Sequence, residues 1–155
     1  MQLSAVFLAL GEEALGHELR GVSLGRLRTY QLFDRVKTRL HLAKLNVESL
    51  RKAAPRLWSR LEGGDEDLAA DLSQAILVSN LEMIREVLDF LGVPHKEGFF
   101  EKDLDVKALL TEGWQQRAWD RFHPAHPRPV LLFYLNHLAW ELAKAEQPFQ
   151  PAGAA

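Results

Sequence analysis

The stretch VLLFYLNHLAWELAK, residues 130–144, concentrates side chains that could do chemistry. Tyr134, His137, Glu141 and Lys144 recur at spacings of three, four and three, which puts them on one side of an α-helix. A His with a Glu one turn later can form a proton-transfer pair or supply two metal ligands. The same spacing suits the solvated stripe of an amphipathic helix, and that is the preferred reading of these four. Phe133 and Trp140 lie seven apart, on a line that runs between Asn136 and His137. Large aromatics off the main apolar face mark either a wide core or a partner surface, where such side chains concentrate binding energy. Both readings stay open.

The segment Pro94-His95-Lys96-Glu97-Gly98-Phe99-Phe100 is the second place of interest. Two adjacent Phe residues in a loop near 92–105 either plug the core or cover a pocket, and the plug is preferred. The acidic run Glu101, Asp103, Asp105 lacks the Gly and the terminal Glu of a twelve-residue calcium loop. His123 and His126 have a spacing found in metal sites, but the prolines around them point to a structural loop. His17 and His41 could join His137 in a three-His site, although nothing in the sequence makes them converge. Ser73 and Asn80 fall inside an apolar helical face, where a polar side chain usually sets register.

Charge is segregated along the chain. Residues 20–60 carry 11 Lys/Arg against Asp34 and Glu48, a balance of +9, and residues 61–112 carry 13 Asp/Glu against four Lys/Arg, a balance of −9. Lys52, Arg56 and Arg60 recur on one helical face and could grip phosphates without reading sequence. The net charge of −2 provides no excess to attract a polyanion, so mutual neutralisation is the simpler account. The stretch LHLAKLNVESLRKAAPRL hints at a helix-turn-helix, but Pro55 would stand midway along the recognition helix. Phosphate-loop, dinucleotide, zinc-protease and serine-elbow motifs are all missing. With no Cys, the chain has no thiol chemistry, disulfide or Cys-held metal.

The elements that must position these residues are helical. With 155 residues, 47% of them apolar and 26% charged, the composition is that of an ordinary globular domain. Leu3, Phe7, Leu10 and Ala14 describe a first helix near 3–20, and a second runs from Ser23 to about Leu45. A third spans 47–61 with a kink or break at Pro55. The fourth, 66–91, has an apolar face of roughly 220°, wide enough to pack on several neighbours. A fifth, near 106–122, aligns Leu110, Trp114, Ala118 and Phe122. The sixth starts at Pro129, which suits a first turn, and reaches about Glu146. No stretch alternates as a strand should.

The expectation is therefore an all-α, single-domain bundle of five or six helices over 1–147, with 148–155 a flexible tail. The expected function is a non-catalytic interaction or regulatory protein, self-associating as a homodimer or seated in an assembly. Phe133, Asn136, His137, Trp140, Phe99 and Phe100 would form its contact surface. One alternative is a small enzyme or ligand-binding bundle around His137 and Glu141, with or without a metal. The other is a non-specific nucleic-acid binder through 20–60. No cofactor is expected. The opening apolar run stops at Gly11, short of the roughly 20 residues that span a bilayer and without a basic flank. Cytoplasm is the default location.

Overall fold

The computed structural model describes residues 1–22, 52, 54–100 and 103–153. They are mostly helical, and they divide into two compact units, Gln2–Asn80 and Leu81–Ala155, with Met1 belonging to the second. The expected second helix, and the third as far as residue 51, lie outside the described residues.

The first unit contains α1 (Leu3–Leu10), α2 (Glu12–Arg20), α3 (Ala54–Glu62) and α4 (Glu66–Val78). The single helix expected over 3–20 is broken at Gly11, whose backbone (φ 97, ψ 152) is open only to glycine. Gly11 ends one helix by donating to the Phe7 carbonyl and starts the next by accepting from Leu15 N–H. The break rotates the apolar face: Val6, Leu15 and Leu19 are buried, while the expected Leu10 and Ala14 are only half-buried. Leu57, Leu61, Leu68, Leu72 and Ile76 complete this core. At Gly16 an added Cβ would stand 3.9 Å from the Ala54 Cβ, so α2 and α3 approach closely there.

The N-terminus of α1 has no local cap. Its orphan amides are satisfied by Glu66 from the first turn of α4, with Leu3 N–H donating to Oε2 (2.9 Å) and Ser4 N–H to Oε1 (3.1 Å). Gly63 and Gly64 close α3, and Asp65 caps α4 by accepting from Leu68 N–H (3.0 Å).

The helix expected over 66–91 is two helices, because α4 stops at Val78. Ser79 Oγ donates to the Ala75 carbonyl (2.9 Å) and Asn80 Nδ2 to the Ile76 carbonyl (2.7 Å). Consecutive side chains thus engage carbonyls that backbone amides would otherwise engage, and the ladder ends. Ser73 is fully buried, and its hydroxyl has no partner among the described residues.

The second unit contains α5 (Leu81–Leu91), β1 (His95–Lys96), β2 (Phe99–Phe100), α6 (Val106–Leu109), α7 (Trp114–Phe122) and α8 (Arg128–Glu141). The loop expected at 92–105 contains a small antiparallel hairpin, pairing His95 with Phe100 and Lys96 with Phe99. Its turn residues Glu97 and Gly98 both have positive φ (53° and 90°), as tight two-residue hairpins require. The expected helix 106–122 is likewise interrupted. Asp105 caps α6, and α7 is entered through left-handed Gly113, with Trp114, Ala118, Trp119 and Phe122 facing inward. Pro129 occupies the first turn of α8, as expected.

The end of α8 falls at Glu141 rather than near Glu146. Ala145 N–H reaches back to the Ala139 carbonyl (3.1 Å) around Lys144, whose φ is 52°. This is glycine's usual place in a helix terminator, and a lysine there gives no warning in the sequence. Beyond it, Phe149 and Ala152 are tied to the unit through Asn136 and Gln116, and Pro151 is buried. No helix among the described residues is long and apolar enough to cross a membrane.

Candidate functional site

From Val130 to Ala139, α8 is buried on almost every side, with only Leu132 half-buried. Tyr134 and His137, read from spacing as members of a solvated stripe, are 2% and 5% exposed, because this helix is surrounded rather than amphipathic. Phe133 is 1% exposed. Asn136 engages its own chain: Phe149 N–H donates to its Oδ1 (2.6 Å), and its Nδ2 donates to the carbonyls of Phe149 (3.2 Å) and Leu132 (3.3 Å).

One turn further on, the surroundings change. Trp140 is half-buried and Glu141 exposed, and both line a surface cavity of about 280 Å³ together with Met1, Lys144 and Ala145. The Trp140 ring lies 5.4 Å from that of His137, which in turn lies 6.1 Å from Phe133. The carbonyls that a helix leaves open at its end attract cations. Met1 N donates to the Ala145 carbonyl (3.1 Å) and Lys144 Nζ to the Glu141 carbonyl (3.2 Å).

The polar line beneath this cavity is electrostatically uncomfortable. Burial pulls the His137 imidazole down to about 4, so at neutral pH it carries no charge. Its Nδ1 lies 3.6 Å from Glu141 Oε2, too far for a hydrogen bond. Partial burial raises the Glu141 carboxyl above its usual range, and Lys144 opposes that rise. The Tyr134 phenol is pushed well above its ordinary value, first by burial and then by the Glu141 charge. Its hydroxyl is buried and has no hydrogen-bond partner among the described residues. A buried donor left unmade costs about 1–3 kcal/mol. The sequence places Tyr134, His137, Glu141 and Lys144 on one line, but it does not reveal this isolation or the proximity of Met1 and Ala145.

The other candidate residues are dispersed. Phe99 is 40% exposed, whereas Phe100 is half-buried opposite His95. His123 Nδ1 lies 2.9 Å from the Trp119 carbonyl, and His126 Nε2 lies 2.7 Å from Glu86 Oε2, forty residues away in sequence. His17 is exposed, and His41 lies outside the described residues. Among the described residues no three His, Asp or Glu side chains gather as a metal site would need. In the basic segment Lys52 and Arg56 are exposed, while Arg60 is engaged by Asp65 through its Nε (3.1 Å). The remaining basic residues from 23 to 51 lie outside the described residues. Asp105 is occupied as the α6 cap, accepting from Ala108 N–H (3.3 Å).

Comparison with protein-family models, curated proteins and solved structures gave no match, so the role of this site must be argued from its own chemistry.

Proposed function

We propose that this chain is a non-catalytic helical interaction protein, self-associating or seated in an assembly, whose contact surface centres on the end of α8. The observation that supports this is the half-buried indole of Trp140 in the wall of a cavity flanked by Glu141 and Lys144. A pre-formed recess beside an anchored aromatic is where interface binding energy gathers. At about 280 Å³ the recess sits just below the usual range of small-molecule pockets, roughly 300–1,000 Å³, so it suits one inserted side chain. Phe133, Asn136 and His137 then act from beneath by fixing the helix that carries Trp140. Exposed Phe99 remains a separate candidate contact.

Native mass spectrometry of the intact chain tests this. An even-numbered oligomer that Trp140→Ser converts to a monomer with unchanged helical content is the expected outcome. If the oligomer survives the substitution, Trp140 is not its anchor.

A second reading is favoured by the Tyr134 hydroxyl, which has no acceptor among the described residues and shares its helix line with a neutral imidazole and a raised carboxyl. In this reading a small polar ligand occupies the α8 end, with Glu141 and His137 as its polar wall. A monomer that carries a retained non-covalent mass, lost in Glu141→Gln, would replace the first reading with this one.

A further inference from the structure

His95 stands at the base of the β1–β2 hairpin and makes two hydrogen bonds that together fix its protonation. Its Nε2 lies 2.6 Å from Asp89 Oδ1, and its Nδ1 lies 3.0 Å from the Gly98 amide nitrogen. A carboxylate can only accept, so Nε2 must carry the hydrogen; a backbone N–H can only donate, so Nδ1 must be bare. The geometry is that of a neutral imidazole holding the hairpin turn by its lone pair. Gly98 tolerates little displacement, since a Cβ there would meet Leu81 Cδ2 at 3.1 Å and Ile84 Cγ2 at 3.3 Å. The turn is therefore both seated on α5 and latched by the ring.

We propose that the 95–100 hairpin is a proton-operated latch, in which protonation of His95 at Nδ1 releases the Gly98 amide and frees the turn that carries Phe99. The added proton sets one N–H against another, so that bond is lost. The imidazolium keeps Asp89, now as an ion pair, and Asp89 is 73% exposed, so the ring has an outward-facing partner to follow. Among the described residues the other charged groups nearby are Arg85 on α5, whose Cγ lies 4.0 Å from the Gly98 Cβ position, and Lys96 and Glu97 in the hairpin itself. Glu86, the next carboxylate along α5, is engaged by His126. His95 is thus the group whose change of charge bears directly on the turn, and histidine is the side chain suited to change charge near neutrality. This inference does not depend on the function proposed for α8.

Amide NMR on the intact chain, read from about pH 8 to about pH 5, tests it. The expected result is that the Gly98 amide loses its hydrogen-bonded shift, and its protection falls by about tenfold, in step with the His95 ring titration. His95→Gln should remove the pH dependence at Gly98, while His126→Gln should preserve it. A Gly98 amide that stays protected through the His95 titration overturns the latch. So does an unchanged release in His95→Gln.

Discussion

The middle and the end of α8 carry the same kinds of side chain and use them in opposite ways. Phe133 and Trp140 lie on one helical line, yet the first is 1% exposed and the second opens onto a cavity. Asn136 is occupied by Phe149, whereas Glu141 faces outward with a carboxyl held above its usual range. Two turns of helix separate a fully buried ring from one that lines an open cavity. The difference shows that residue type and spacing identify a line on a helix, while the neighbours decide which part of it is free to act.

The sharpest way to break this contrast is to remove the aromatic ring at its buried end. Phe133→Ala should destabilise the fold by about 3–5 kcal/mol in urea unfolding, through lost burial and an unfilled cavity. A loss below about 1 kcal/mol would mean that Phe133 belongs with Trp140 as surface.

Acid should act on the same region almost as strongly. The His137 imidazole is held down to about 4 in the folded chain, against 6.5 ordinarily, so the unfolded chain binds more protons between those values. Stability from this group is then fully present above about pH 6.5 and falls as the pH drops towards 4. The total is on the order of 3 kcal/mol. The raised carboxyl of Glu141 contributes with the opposite sign, so the measurement is a difference. His137→Gln should flatten the pH dependence of the unfolding free energy over that window relative to the unaltered chain. Equal slopes in the two proteins would show that the imidazole is not buried neutral.

The smallest effect sharpens the comparison most. Tyr134→Phe removes a hydroxyl that has no partner among the described residues, and should leave stability unchanged or raise it by up to about 1 kcal/mol in thermal melts of the purified chain. A loss of more than about 1 kcal/mol would reveal an acceptor for that hydroxyl, as a retained ligand at the α8 end would provide.

Much of the helical content was legible because apolar residues recur with the helix period and Pro129 has the chemistry of a first-turn residue. The interruptions were less so. The apolar face of 66–91 runs straight across Ser79 and Asn80, and the break comes from side-chain bonds that periodicity does not register. Lys144 ends α8 in a conformation usually given to glycine. The hairpin strands have two residues each, too short to show alternation. At the site, the four polar positions were legible as a line. The burial of Tyr134 and His137 was not, because a surrounded helix and an amphipathic one can share that spacing.

The carboxylate of Glu66 at the start of α1 has a consequence for how the chain assembles. An eight-residue helix is too short to persist alone in water, and this one lacks a cap of its own. The side chain that satisfies its first amides lies more than sixty residues downstream. During synthesis, α1 therefore leaves the ribosome well before the residue that completes its opening turn. A helix made early thus depends for its start on a residue made much later, so its stability is tied to a long-range contact rather than to its own sequence.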